Sequence, residues 1–347
     1  MSSEQQSQTT DRFARLKEQA SRAIDSAQLP TIVREIASTS ENVTKLPDSI
    51  ATLRRRGYVF ASYLEHKVDV LETRWREARQ QAQAGVDTEL ERLRTEVREV
   101  EGLLNKGTMA LQHPNVLDNI VPRLETEVSG LERAVSAADS RIRSHYDAVR
   151  RDVDQTLEQV QDITWVLDRA GEASFPFLAQ EKLFLAAEAE WHSGKDDPDG
   201  LLYLTDQRLL FEQKEKTGKK LGLFGGKQTQ ELEWEIPLNQ VEKVVAENKG
   251  LFGGKDLLHF TFGGGASLSQ ATVEVKGKAK CKFWAAQIER MIAGQTNDER
   301  AIAADSETLD TLASAPTACH VCGATLPRLV ANQRQVECVY CGTVIRI

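Results

Sequence analysis

The chain has 347 residues, enough for two or three domains, with 40% hydrophobic and 28% charged residues, an ordinary balance for a folded protein. Its net charge of −8 speaks against a general nucleic-acid binder, because phosphate attraction dominates such binding. Residues 1–8 are polar and lack the apolar core of a secretory signal, and no run reaches the length of a membrane span. A cytoplasmic protein is expected, with any membrane association peripheral.

Residues 1–9 have a disordered composition. Phe13, Leu16, Ala20, Ile24 and Ala27 then recur at spacings of three and four, which predicts a helix ending before Pro30. Its stripe is expected to pack on other helices. Arg12, Arg15, Lys17 and Arg22 beside it leave a membrane-surface helix as the alternative. After Pro47 the pattern becomes long helix. One heptad seam runs through Leu64, Val68, Leu71, Trp75, Ala78 and Ala82, and after a stutter through Val86, Leu90, Leu93, Val97, Val100 and Leu104. Gly107, His113 and Pro114 break it. A second seam, from Leu117 through Val128, Ile142 and His145 to Val160, contains Pro122, which must kink the helix or start it. Two long helices with a short connection fold back antiparallel, giving an arm about 60 Å long at 1.5 Å per residue. The expected division is an N-terminal tail with short helices over 1–46 and a coiled-coil hairpin over 47–170, closed within one chain or between chains as a homo-oligomer.

From about residue 175 the period becomes two. Strands are predicted at 184–191, 201–212 (interrupted by polar Thr205, Asp206 and Gln207), 231–236, 241–247, 256–262 and 271–278, with a helix at 280–293 carrying Trp284, Ile288 and Met291 on one face. Several antiparallel strands closed by one C-terminal helix outline a pleckstrin-homology-like (PH-like) barrel over 175–294. The segment Gly200-Leu-Leu-Tyr-Leu-Thr-Asp-Gln-Arg-Leu-Leu-Phe211 resembles the second strand of GRAM and bacterial PH-like domains, and Ile236-Pro-Leu-Asn-Gln-Val-Glu-Lys-Val244 resembles a later segment of theirs. The resemblance implies the fold more firmly than any ligand, since some relatives bind acidic lipids and others proteins.

Within this region Gly-Leu-Phe-Gly-Gly-Lys occurs twice, at 222–227 and 250–255, each time at a predicted hairpin tip. Two strands lie between the copies, so an up-and-down meander would bring both tips to one end, side by side. Leu223, Phe224, Lys219, Lys220 and Lys227 at the first tip, and Leu251, Phe252 and Lys255 at the second, combine an aromatic wedge with lysines, the chemistry an anionic bilayer attracts. Lys214, Lys216 and Lys249, and Lys276, Lys278 and Lys280 alternating on one strand face, would widen the patch. The two phenylalanines packing internally, or meeting a protein partner, remain alternatives. The hexapeptide lacks the GxxxxGK[ST] pattern of a nucleotide loop.

Residues 295–316, rich in Ala, Thr, Ser and acidic side chains, read as a linker. Beyond it come Cys319-x-x-Cys322, fifteen residues, and Cys338-x-x-Cys341. This spacing suits one tetrahedral Zn²⁺ held by four thiolates, and residues 317–347 resemble a zinc ribbon. Gly323 and Gly342 follow the pairs, where a tight turn is needed. Four cysteines fill the site, so the zinc is expected to be structural and His320 to face solvent. Cys281 is expected to be a small buried apolar residue.

The chain therefore reads as a multidomain α and β protein: long α-helical coiled coil, PH-like antiparallel β-barrel with C-terminal helix, and small zinc ribbon. No nucleophile–base pair or open metal site emerges. A non-enzymatic adaptor is expected, its barrel docking on an anionic membrane surface, its coiled coil oligomerising and its ribbon holding a protein partner. The alternatives are a pure protein–protein scaffold and a nucleic-acid-associated factor using the ribbon's Arg328, Arg334 and Arg346.

Overall fold

The computed structural model describes residues 3–178, 180–194, 196–217, 227–249, 254–301, 318–324, 326, 335–338 and 340–346. The chain divides into two compact units, residues 1–48 with 66–158, and residues 49–65 with 159–347.

The first unit is built from α1 (Ser3–Ser26) and the greater part of α2 (Pro30–Arg55), α3 (Tyr63–Met109) and α4 (Pro114–Gly171); residues 49–55, 63–65 and 159–171 of these helices belong to the second unit. Side-chain bonds fix their directions. Thr9 bonds Asp118, Arg12 Nε bonds Glu125 at 2.6 Å, Gln19 bonds Glu132, and Glu35 receives both Arg143 and the Tyr146 hydroxyl. The sequence offset across these pairs stays between 108 and 113, so α1 and α2 run parallel to α4. Between α3 and α4 the offset changes from 52 at Glu89–Arg141 to 78 at Arg74–Asp152, the mark of an antiparallel pair. Trp75 of α3 donates to Ser40 of α2.

The seam residues Val68, Leu71, Trp75, Ala82 and Leu93 of α3 and Leu124, Val128, Leu131, Ile142 and Val153 of α4 are buried, together with Phe13, Leu16, Ile32, Val43 and Leu46 of α1 and α2. The α3–α4 hairpin is thus closed within one chain, with α1 and α2 as a third helical layer.

Several local expectations change. The segment from Ser3 is helical, and Thr9 is tied to α4. Pro47 lies inside α2, whose buried face (Val43, Leu46, Ile50) carries the helix through it. Pro114 opens α4, where its missing N–H costs nothing, and Pro122 sits inside the helix on an exposed position. Tyr146 is buried and the neighbouring His145 exposed, because α2 receives the tyrosine hydroxyl through Glu35. Gly107 continues α3: a Cβ there would lie 2.3 Å from the Phe13 ring, so glycine is what admits α1.

The second unit contains a seven-stranded antiparallel sheet of β1 (Leu183–Trp191), β2 (Asp199–Thr205), β3 (Arg208–Thr217), β4 (Lys227–Pro237), β5 (Val241–Lys249), β6 (Lys255–Phe262) and β7 (Gln270–Val275), followed by α5 (Cys281–Ile292). The order is β4-β3-β2-β1-β7-β6-β5. One expected strand, 201–212, is therefore a hairpin turning at Asp206-Gln207. Strand β2 is buried on both faces: Leu201 and Tyr203 pack with Val166, Phe175 and Leu210, while Leu202 and Leu204 are also fully covered.

The expected closed barrel is not formed. Strands β4 and β5 are consecutive in sequence but stand at opposite edges, joined by a 3-10 turn at Leu238–Gln240 after Pro237, which has no N–H to donate to a ladder. Aromatic packing bridges the gap instead: Trp234 of β4 lies 5.9 Å from Phe211 and 6.1 Å from Phe262 of β6. Long helices plus a seven-stranded antiparallel sheet with a C-terminal helix are consistent with a PH-like fold.

The segment between α2 and α3 belongs to this unit. Gly57 takes a φ of 91°. The Arg54 guanidinium donates to the carbonyls of Tyr58, Phe60 and Ala61 and pairs with Glu65. Phe60 packs edge-on to Phe184 of β1, and Ala301 donates to the Val59 carbonyl at 2.7 Å.

Candidate metal centre

Residues 318–346 contain two equivalent turns and a two-stranded ladder, β8 (Gln335–Glu337) with β9 (Val344–Arg346). In each turn the glycine after the CxxC pair donates to the carbonyl of the first cysteine at 2.8 Å, Gly323 to Cys319 and Gly342 to Cys338. Their φ values, 71° and 69°, lie in the left-handed region, where a side chain is strained. The amides of Cys319 and Cys338 bond forward to Ala324 and Thr343. Two copies of one backbone knuckle thus face each other, as the spacing predicted.

The four sulfurs lie within 4.8 Å of one another, with Cys319 Sγ 3.6 Å from Cys341 Sγ and Cys322 Sγ 3.5 Å from Cys338 Sγ. Sulfurs at the corners of a tetrahedron around Zn²⁺ with bonds of about 2.3 Å stand roughly 3.8 Å apart. Disulfide bonding would require about 2.05 Å. The donor set and its spacing fit a four-thiolate zinc site. The Thr343 hydroxyl and amide hold the Cys341 thiol down to about 6, whereas Cys322, despite its backbone bond to Ala324, is pushed up to about 12 by the neighbouring thiols; a bound metal would be what makes all four thiolates. Cys319 and Cys338 are buried with Leu326, Val336 and Ile345. A core this small does not fold a module alone, so a metal would supply much of its folding free energy.

His320 is exposed, as expected of a residue outside the ligand set. Cys281 is fully buried at the start of α5, where burial pushes its thiol up. One feature was missed from sequence: the residue before the second cysteine of each pair is apolar and outward-facing, Val321 at 60% exposure and Tyr340 at 78%, and Val344 is also exposed. The signal was present in the matching x-V-C and x-Y-C ends of the two pairs.

Of the residues expected at the two hairpin tips, Leu223, Phe224, Lys219, Lys220, Leu251 and Phe252 lie outside the described residues, as does the side chain of Lys227. The flanking strands are described. Thr217 pairs with Lys227 and Lys249 with Lys255, the last pairs of the β3–β4 and β5–β6 ladders. Gln213, Gly200, Ala189, Val275 and Asp256 share one row of the sheet, and β3 and β6 both run in the direction of β1. The β3–β4 hairpin, beyond the end of β3, and the β5–β6 hairpin, before the start of β6, therefore open toward opposite ends of the sheet, not at one end as the meander suggested. They are separated by β2, β1 and β7 in the sheet order rather than adjacent along it.

Lysines expected to widen the patch are engaged by acids. Lys214 meets Glu172, Lys255 meets Glu274, Lys276 meets Glu190 and Asp199, Lys278 meets Asp162 and Lys280 meets Asp256. Strand β7 ends at Val275, so Lys276, Lys278 and Lys280 follow it through a turn at Gly277 rather than alternating on a strand face.

No helix among the described residues is long and apolar enough to cross a membrane. No family model and no curated protein matches the chain. Among solved structures, the Vps36 N-terminal PH domain aligns at 17% identity over 35% of this chain and 88% of its own, with a TM-score of 0.26. A pleckstrin homology domain from Shewanella amazonensis SB2B aligns at 20% identity over 36% and 96%, with a TM-score of 0.25. The PDZ-RhoGEF DH/PH domains, solved with activated RhoA, align at 13% identity over 84% and 95%, with a TM-score of 0.26. Similarities of this size assign no ligand or activity to the chain.

Proposed function

We propose that the chain is a non-enzymatic adaptor: a helical spacer, a PH-like unit spanning residues 175–294, and a zinc ribbon at 317–347 that presents a partner-binding surface. One observation carries this reading. Each knuckle places an apolar side chain outward at the same position, Val321 and Tyr340, with Val344 also exposed. Exposed aromatic and aliphatic anchors on a module held rigid by a metal are what a protein partner buries. The zinc is structural here: it folds the surface and leaves no ligand position for substrate.

A second reading concerns the twin hairpins. Their repeated Leu-Phe and lysine chemistry supports docking on an anionic lipid surface, although the two hairpins open toward opposite ends of the sheet. The carboxylate partners of Lys214, Lys255, Lys276, Lys278 and Lys280 weaken it, because charge already neutralised attracts an anionic surface less. The homo-oligomer expected from the heptad seams also loses support, since α1 and α2 of the same chain cover α3 and α4.

Affinity capture from native lysate with wild type and with Val321→Ala/Tyr340→Ala separates these readings. The adaptor predicts partners lost by the double variant at unchanged zinc content. Identical capture by both would sink it. Sedimentation with phosphatidylserine vesicles at low salt reads the second proposal: pelleting of wild type and tenfold less of Phe224→Ala/Phe252→Ala supports it, and no pelleting of wild type discards it.

A further inference from the structure

At the end of the sheet where the β3–β4 hairpin opens, Glu190, His192 and Glu274 meet. Glu190 and His192 are two residues apart where β1 runs out, and Glu274 sits directly opposite Glu190 on β7. The His192 amide donates to the Thr272 carbonyl at 2.9 Å, which fixes the His192 main chain beside β7. The imidazole Nε2 lies 3.3 Å from Glu190 Oε1 and 3.4 Å from Glu274 Oε2. The nitrogen is shielded from solvent, yet it makes no hydrogen bond. At these distances, that means neither oxygen lies along the ring's donor direction. A proton on Nε2 would have no acceptor in line. The three atoms lie close enough to one another to share a single cation.

The spacing fits such a cation. For Zn²⁺ bonded to imidazole nitrogen and carboxylate oxygen at about 2.0–2.2 Å, tetrahedral ligand atoms stand roughly 3.3–3.5 Å apart. The three atoms lie within 4.8 Å of one another and come from elements that cannot drift independently, two strands locked in register. The local charge also favours it. Glu190, Glu274 and Asp199 carry three negative charges against two from Lys276 and Lys255. Lys276 binds Glu190 through Oε2 at 2.6 Å, leaving Oε1 to the imidazole, whereas Lys255 shares Glu274 Oε2 at 2.8 Å and would have to yield part of it.

We propose that Glu190, His192 and Glu274 form a second site for a divalent transition metal, with one nitrogen and two oxygen ligands. An imidazole with carboxylates selects a borderline cation such as Zn²⁺ over Mg²⁺ or Ca²⁺, which prefer all-oxygen shells. This inference is independent of the four-cysteine site and of the adaptor reading.

Co²⁺ titration of metal-free protein under reducing conditions tests it, because thiolate-bound cobalt has intense charge-transfer absorption and a nitrogen–oxygen site has only weak bands. Wild type should bind two equivalents, the second without added charge-transfer intensity. His192→Ala and Glu274→Gln should each bind one equivalent, with the thiolate bands unchanged. One equivalent in wild type, or a second that survives both substitutions, overturns the proposal.

Discussion

Gly200 is where a single missing carbon decides a local structure. A Cβ built there would lie 2.0 Å from the Glu212 carbonyl oxygen and 3.0 Å from the Gln213 Cα, both main-chain atoms of the neighbouring strand. Backbone in a paired strand cannot step aside as a side-chain end can, so the β2–β3 ladder must open. Gly200→Ala should destabilise the sheet unit by about 3 kcal/mol or more, read as a lowered urea midpoint. Gly107 makes the comparison sharp, because its obstacle is the Phe13 ring rather than backbone. The ring of a buried phenylalanine can tilt, so the same substitution there is expected to cost less.

At the scale of elements, the β2–β3 turn is held by a buried ion network. The Thr205 hydroxyl accepts from the Arg208 amide and donates to Glu181, Arg208 pairs with Glu181 and Glu235, and Asp206 accepts from the Lys182 amide and pairs with Arg300 at 2.5 Å. Arg300 also lies over the Phe60 ring at 5.1 Å. The residues that seemed to interrupt a strand are therefore the ones that pin residues near 60, 181 and 300 together. Burial pushes the Asp206 carboxyl up, so it depends on the guanidinium for its charge. Arg300→Met should cost about 3–5 kcal/mol near neutral pH, since it leaves a buried charge without a partner. The sign of the pH effect follows. A carboxyl with a raised folded-state pKa holds its proton where the unfolded chain has lost it, so the deficit should shrink as pH falls toward the ordinary carboxylate range. Thermal melts of wild type and variant from pH 7 to pH 4 would check this; a constant difference would contradict it.

For the whole molecule, the closure of the α3–α4 seam by α1 and α2 predicts that the helical unit needs no second copy. Solution mass should be that of one chain, 38.7 kDa, at micromolar concentration. A stable dimer would mean that another surface associates. Zinc removal by a strong chelator, or Cys319→Ser, should unfold residues 318–346 and leave the helical and sheet units intact, because their cores share no ligand with the metal. Amide exchange would report the two responses separately.

Whatever rests on short-range pattern is legible in the order of residues alone. Two CxxC pairs with following glycines specify knuckles and a thiolate metal site, since ligand type and turn geometry are local. Seams of Val and Leu specify long helices, alternation specified most strands, and Trp284, Ile288 and Met291 at spacings of four and three specified α5. Tertiary structure decided what depends on distant residues. The hairpin closes with a third helical layer because the partners of Glu125 and Glu35 are more than a hundred positions away. The sheet stays unclosed because β4 and β5, though consecutive, never pair. Lys255 and Lys276 look free in the sequence and are neutralised in the fold, because their carboxylates arrive on other strands. Glu190, His192 and Glu274 are ordinary residues until register places two strands side by side, and only then do three ligand atoms lie together.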